Sequence, residues 1–184
     1  MSQINESDVM GVSPNIVYTG FFDIDDSLIR HAEEVRKQCE ANTCGYYGAN
    51  WMCPPAVGDV CTCGKTITSF RRMCLFKTEF VLDDWTDIES IMGSMKSHQD
   101  VVRSVKGLFG EGHGIVMGLS AGACMNCTMC SCMEGSPCRF PDMAVPSIEA
   151  YGVDLFGFCS ENGIRYGCDD GRLTYFGMIL YDRS

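Results

Sequence analysis

Several features that define common protein classes are scarce or missing in this chain. No apolar run approaches the roughly 20 residues of a membrane-spanning helix, and the start, MSQINESDVMGVSP, lacks the charged and then apolar pattern of a signal peptide. Basic residues are few: 14 Lys and Arg stand against 24 Asp and Glu, a formal net charge of −10. We therefore expect a soluble, cytoplasmic protein whose main partner is neither nucleic acid nor a membrane.

The familiar catalytic arrangements are also missing. The chain has three histidines, and none has a partner at the spacing of metal ligands. His98 falls on the apolar stripe of a predicted helix, which favours a buried core histidine over a ligand. No serine–histidine pair or pair of carboxylates stands out. The glycine before GKT at 64–66 is one residue too far away for a phosphate-binding loop.

Cysteine, in contrast, is abundant: the chain has 13, an odd number, and most of them fall in groups. A secreted disulfide scaffold would be shorter and would have an even count. In a reducing cytoplasm the thiols are better explained as metal ligands. Together with the 12 methionines, they are side chains that oxidise readily, which suits an anaerobic cell.

The later group has the pattern C-x2-C-x2-C-x7-C, formed by Cys124, Cys127, Cys130 and Cys138. The short spacings let one tight turn direct successive thiolates at one centre, and three close thiolates with a later fourth are typical of a [4Fe–4S] cluster. A structural zinc site more often has two separated C-x2-C pairs, so zinc is the alternative cofactor. Cys132 is left over, either as a replacement for Cys130, a free thiol or a core side chain.

The earlier group supplies three thiols, Cys39, Cys44 and Cys53, in the pattern C-x4-C-x8-C. Three thiolates can hold a cluster, but they leave one iron without a cysteine. Cys61, Cys63, a non-cysteine group or nothing could complete the site, and an open iron could act on a substrate as a Lewis acid. A complete structural cluster and inert buried thiols are the alternatives.

The hydrophobic pattern predicts a single domain over residues 21–184 after a loose N-terminal segment, residues 1–20. We expect a helix over 26–39, an ordered loop over 44–64, strands over 73–82, 113–120 and 172–181, and helices that begin near residues 86 and 147. A strand, a long helix and a strand suggest a parallel crossover. The predicted fold is therefore α/β or α+β, with a short, mainly parallel sheet, flanking helices and cysteine-rich cluster-binding loops.

The stretch CGYYGANWMCPP, together with AGACMNCTMC, PCRFP and PSIEAYGVDLF later in the chain, resembles a family of prokaryotic predicted metal-binding proteins. That family began as a domain of unknown function and is frequent in anaerobes. The resemblance implies two sets of ligands, Cys39, Cys44 and Cys53, and Cys124, Cys127, Cys130 and Cys138. It also implies that Tyr47-Gly48, Trp51, Pro54-Pro55, Pro146-Ser147 and Glu149-Ala150 support the ligands. Ala123 stands where the family is expected to have proline.

Three functional hypotheses follow from these patterns. The first, which the sequence favours, is a protein with one or two [4Fe–4S] clusters that transfers electrons to a partner enzyme, since an acidic surface suits docking to a basic redox partner. The second is an enzyme whose open iron removes or transfers sulfur, or binds a small anion. The third is an interaction module stabilised by zinc.

Overall fold

The computed structural model describes residues 4–110, 114–167 and 171–182. A four-stranded sheet contains β1 (Ile16–Asp23), β2 (Arg72–Val81), β3 (Val116–Ser120) and β4 (Arg172–Tyr181). The helices are α1 (Glu6–Met10), α2 (Ala32–Glu40), α3 (Val60–Thr68), α4 (Ile88–Gly110) and α5 (Leu155–Glu161). The strands lie in the order β1-β2-β4-β3, and each neighbouring pair is antiparallel. No helix in the described part of the chain is long and apolar enough to cross a membrane.

The predicted mainly parallel sheet is wrong, because β4 lies between the two strands of the expected crossover. Leu75 of β2 and Leu119 of β3 pair with Met178 of β4 from opposite sides. Both strands are antiparallel to β4, so they run parallel to each other without being neighbours. Helix α4 connects β2 to β3, and β4 lies between these two strands in the sheet. The fold is α+β.

Most of the predicted elements are present, but several differ in extent. Strands β2 and β4 and helix α4 lie where the pattern predicted them. Strand β3 begins at Val116, and residue 113 of the predicted strand lies outside the described residues. Helix α1 and most of β1 fall within residues 1–20, the segment expected to be loose. Helix α3 occupies the end of the expected loop over 44–64, and a 3₁₀ turn (Glu149–Tyr151) precedes α5.

The sheet is covered on both faces. Successive residues of a strand point to opposite faces, and the core divides accordingly into two groups of buried side chains. Leu75 and Met178 belong to the group that includes Ile67 of α3. Phe76 and Ile179 belong to the group that includes α4 residues. Helix α4 therefore packs on one face, and the elements that flank the first cysteine group pack on the other.

His98 of α4 is fully buried and hydrogen-bonded at both ring nitrogens. Nε2 lies 3.0 Å from the carbonyl oxygen of Phe176, which can only accept, so Nε2 carries the proton. Nδ1 then accepts from the Thr78 hydroxyl at 2.8 Å. Burial lowers the pKa of His98 to about 4, so the ring is neutral. The prediction of a satisfied core histidine is confirmed.

Candidate metal centre

The first cysteine group lines a cavity of about 570 Å³ between the end of α2 and the loop that follows β3. The side chains of Cys39, Cys44 and Cys53 all contribute to its wall. We call this space the three-thiol cavity. The remaining lining residues are Val35, Gln38, Ala41, Thr43, Tyr46, Tyr47, Pro54, Met95, Gly122, Ala123, Ser147 and Glu149. The structure therefore brings together three thiols that the sequence separates by up to 14 positions.

Local turns hold the chain between the second and third thiols around this cavity. Asn42 has a left-handed backbone with φ of 53°, and its side-chain oxygen accepts a hydrogen bond from the Tyr47 amide at 2.9 Å. The amide of Gly48, where φ is 70°, donates to the carbonyl of Pro54 at 2.9 Å. These bonds fold the segment back on itself, so that its two ends face one space.

Asn50 fixes this segment to the second cysteine group. The residue is buried, with 3% of its surface exposed. Its Nδ2 donates to the carbonyl oxygen of Cys124 at 3.0 Å, and its Oδ1 accepts from the Met52 amide at 2.9 Å. Because a buried amide loses stability when its hydrogen bonds are missing, Asn50 sets the relative position of the two cysteine loops.

Two of the cavity thiols, Cys39 and Cys53, have a pKa above the ordinary value of a thiol. Burial raises the pKa of Cys53 to about 12, with smaller contributions from the charges of Cys44, Cys39, Glu149 and Cys124. Burial also raises the pKa of Cys39, followed by the charge of Glu149. Metal ligation needs thiolates, so metal uptake would displace protons from these groups.

The second cysteine group lies on an irregular loop after β3. Cys124, Cys127, Cys130 and Cys138 are half-buried. Ser131 ties the loop together, because its hydroxyl donates to the carbonyl of Pro137, beside the last cysteine, at 2.8 Å. No described cavity collects these four thiols in the way that the three-thiol cavity collects the first group. Their role as ligands stays a prediction.

A buried glutamine of α4 anchors the beginning of the same loop. Gln99 is fully buried. Its Nε2 donates to the carbonyl of Ala123 at 2.7 Å, and its Oε1 accepts from the Met125 amide at 2.9 Å. The backbone on both sides of Cys124 is thus held by one side chain from a rigid helix.

Arg139 closes the far end of the loop. Its guanidinium donates to the carbonyl of Met129 at 2.7 Å and to the carboxylate of Glu134 at 2.9 Å. The arginine next to Cys138 therefore braces the loop and places a permanent positive charge beside a candidate ligand.

The three additional thiols considered as ligands lie apart from the described wall of the three-thiol cavity. Cys61 is exposed on α3. Cys63 is buried, lies 3.7 Å from a guanidinium nitrogen of Arg36, and donates to the carbonyl of Val57 at 3.6 Å. Cys132 donates to the carbonyl of Gly48 at 3.9 Å. Cys132 thus belongs to the contact between the two cysteine loops.

The cysteines do not form a site for a single metal ion in the described ranges, where no three Cys, His, Asp or Glu side chains are grouped as ligands of one ion. The thiols of the first group surround a cavity instead of converging on a point. Thiol donors of this kind suit soft metals, among them zinc, copper(I) and iron–sulfur clusters.

The sequence interpretation missed Gln99 as a contributor to the site, and it assigned Glu149 only a supporting role. Glu149 lies in the cavity wall, and Gln99 is a polar residue on the buried side of α4. For Gln99 the available signal was a polar side chain beside the apolar stripe of a helix. The contacts of both residues with the site join parts of the chain that are distant in sequence, so local patterns do not reveal them.

A family model described as "Predicted metal-binding protein (DUF2284)" matches residues 23–181 of the chain. The match includes both cysteine groups, and it confirms the resemblance that the cysteine motifs predicted. No curated protein and no solved structure shows significant similarity.

Proposed function

The chain belongs to this family of predicted metal-binding proteins, and we propose that it holds a [4Fe–4S] cluster at Cys39, Cys44 and Cys53 and transfers electrons to a partner enzyme. The observation that carries the proposal is the cavity that these three thiols share. Soft thiolate ligands select iron–sulfur clusters, zinc and copper(I). The choice among these rests on whether three donor side chains are grouped around one ion.

The arrangement of the donors supports a cluster over a single zinc ion. Zinc–thiolate bonds of about 2.3 Å in a tetrahedron place the sulfur atoms about 3.8 Å apart. The described residues contain no group of that kind. A four-iron cube carries its thiolates around a larger body, which suits thiols that share the wall of the three-thiol cavity.

A second [4Fe–4S] cluster at Cys124, Cys127, Cys130 and Cys138 is part of the same proposal. Its support is the spacing of these cysteines and the direct contact between the two loops. Besides the Asn50 bond, Trp51 Nε1 donates to the carbonyl of Ser136 at 3.0 Å. Two clusters on touching loops would form a short path for electrons.

A bound cluster would supply reversible transfer of one electron. The residues of the chain would hold the cluster and maintain the positions of its ligands. Cys53 is buried among the apolar side chains of the cavity wall, and Asn50 and Gln99 fix the backbone on either side. Such rigid support keeps the surroundings of the cluster the same in both redox states.

The surface of the second cysteine loop suits contact with a protein partner. The side chains of Met129, Met133, Phe140 and Met143 are each 46% to 63% exposed there. Adaptable methionines are common at surfaces that bind other proteins, and the net charge of −10 favours a basic partner. We propose a redox enzyme of a reducing, anaerobic cytoplasm as that partner.

An enzyme with an exchangeable iron is the second candidate, and the size of the cavity favours it. A volume of about 570 Å³ falls within the range of pockets that bind small molecules, roughly 300 to 1,000 Å³. Cys61 and Cys63 of α3 do not line the cavity. One iron of the first cluster would therefore lack a cysteine ligand from this helix. Removal or transfer of sulfur, or binding of a small anion, is the corresponding activity.

The test is the metal content of anaerobically purified protein, with EPR spectra before and after dithionite. We expect about eight irons with matching sulfide per chain if both groups bind clusters, and about four if one does. Cys53→Ser should remove about four irons, because it removes a ligand of the cavity. Cys61→Ser is the matched control and should leave the iron content unchanged.

Two results would contradict the proposal. Stoichiometric zinc without iron after strictly anaerobic purification would leave the zinc-stabilised interaction module. Equal loss of iron in the Cys53→Ser and Cys61→Ser variants would refute the three-thiol cavity as the cluster site. Aerobic purification would not serve, since zinc readily enters thiolate sites that have lost a cluster.

A further inference from the structure

Glu149 brings a carboxylate into the wall of the three-thiol cavity. The residue begins the 3₁₀ turn Glu149–Tyr151, and one of its oxygens is fixed. Oε2 accepts a hydrogen bond from the Ser147 hydroxyl at 2.7 Å, and the amide of Gly122 lies 3.5 Å from the same oxygen. Ser147 is itself buried, with 5% of its surface exposed, so the carboxylate is oriented by a rigid donor.

The other oxygen of this carboxylate, Oε1, is uncommitted. Within the described residues, Oε1 has no hydrogen-bond partner, and Glu149 forms no ion pair with a lysine, arginine or histidine. The wall therefore presents three soft donors and one hard anionic donor to the same space.

We propose that Glu149 is the fourth protein ligand of the metal group at Cys39, Cys44 and Cys53, bound through Oε1. This inference rests on the proposed function, because it assumes a metal group in the three-thiol cavity. It assigns to Glu149 a direct role where the sequence pattern indicated support for the cysteines. It also explains why the first cysteine group has three members.

The competing donors are less suitable for this position. Cys61 is exposed on α3, and Cys63 faces Arg36 and a backbone carbonyl. The Ser147 hydroxyl already donates to Glu149. The pairing of Ser147 with Glu149 matches the usual arrangement in which a ligating carboxylate is oriented by a hydrogen bond from a neighbouring group.

An oxygen ligand would make one iron of the cluster different from the other three. Thiolates are the ligands that iron–sulfur clusters select, whereas a carboxylate suits harder metal ions. Glu149 would therefore hold the iron that is released first on oxidation, and a substrate could reach that iron by displacing the carboxylate.

The experiment compares the wild-type chain with Glu149→Gln after anaerobic reconstitution with iron and sulfide. The substitution keeps the size of the side chain and removes its charge. Glu40→Gln is the matched control, because Glu40 is exposed next to Cys39. The measurements are the iron content and the growth of the three-iron EPR signal during titration with ferricyanide.

We expect Glu149→Gln to lose one iron of the cluster about tenfold faster than wild type or more, while Glu40→Gln follows wild type. Ser147→Ala keeps the carboxylate and removes its hydrogen bond, so iron loss should accelerate about tenfold or less. If Glu149→Gln does not fold, as judged by circular dichroism, the Ser147→Ala variant decides.

Equal rates of iron loss and identical EPR spectra in wild type, Glu149→Gln and Ser147→Ala would overturn the assignment of Glu149 while leaving the cluster in place. If Cys124→Ser destabilises the first cluster while Glu149→Gln and Ser147→Ala do not, the assignment of Glu149 is overturned and Cys124 is the fourth ligand. Wild-type protein that takes up no iron would overturn both this inference and the proposed function. These results are distinguishable from one another.

Discussion

Replacing the titratable imidazole of His98 should change how the free energy of unfolding depends on pH. His98 connects α4 to β2 and β4 through its bonds to Thr78 and to the carbonyl of Phe176. Protonation of Nδ1 would turn an acceptor into a donor and place a charge in a fully buried position. His98→Gln removes the titratable group and offers an amide donor and acceptor in its place.

The magnitude follows from the pKa in the folded and unfolded chain. The pKa of His98 falls from an unfolded value of 6.5 to about 4 in the folded protein. Because the folded pKa is depressed, the stabilisation is complete above the unfolded pKa and is lost as the pH falls towards the folded value. At about 1.4 kcal/mol per pKa unit, the complete loss is about 3 kcal/mol, of which about 2 kcal/mol falls between about pH 7.5 and about pH 5.

Urea unfolding at these two pH values measures the effect. Wild-type protein should lose roughly 2 kcal/mol more stability on acidification than His98→Gln does. His31→Gln is the control, since His31 is exposed, and it should follow wild type. Equal pH dependence of wild type and His98→Gln would refute the conclusion that a neutral buried imidazole contributes to the stability of the fold.

Two further substitutions test the supports of the candidate site. Gln99→Leu leaves the carbonyl of Ala123 and the amide of Met125 without their hydrogen-bond partner. We therefore expect the free energy of unfolding, measured with urea, to fall by roughly 2 kcal/mol or more, together with a lower iron content. Gly152→Ala should lower the thermal midpoint more than Gly163→Ala does. Both glycines have positive φ, but a Cβ at Gly152 would lie 2.7 Å from the Cβ of Ala32, whereas a Cβ at Gly163 meets open space. Equal thermal midpoints of the two variants would contradict this steric account.

Local periodicity predicted the elements that are long and strongly patterned. RLTYFGMILY became β4 at the predicted bounds, and the apolar stripe from Ile91 to Phe109 became α4. The order of the strands could not be predicted in this way. It depends on pairs such as Leu119 with Met178, and nothing near either residue indicates that β4 enters between β2 and β3.

Strand β1 shows a second limit of local patterns. IVYTGFFD has the composition of a strand, yet it follows a polar start. Its pairing with β2 joins residues such as Gly20 and Leu75, which are far apart in the chain. This edge strand is stabilised by its partner β2, and that partner cannot be identified from the residues of β1 alone.

The three thiols of the first cysteine group line one cavity, but their spacing in the sequence could not exclude the extra cysteines as ligands. Cys61 and Cys63 are two residues apart, and on a helix such residues do not share a face. Once Asp59 caps α3 by accepting a hydrogen bond from the Thr62 amide, one thiol points to solvent and the other into the core. The predicted loop over 44–64 gave no reason to distinguish the two thiols, because only a regular helix requires residues two positions apart to face different directions.

Hydrogen bonds from the protein itself hold the backbone of the two cysteine loops. Gln99 follows His98 directly in α4, and successive helical residues point in different directions. One side chain therefore binds the sheet while the next binds the loop backbone around Cys124. Small zinc domains fold only with their metal because they lack a core, whereas this chain has a buried core on both faces of its sheet. Protein contacts position the backbone around the candidate ligands, so a cluster at the proposed site could change its charge or exchange a ligand without loss of the fold.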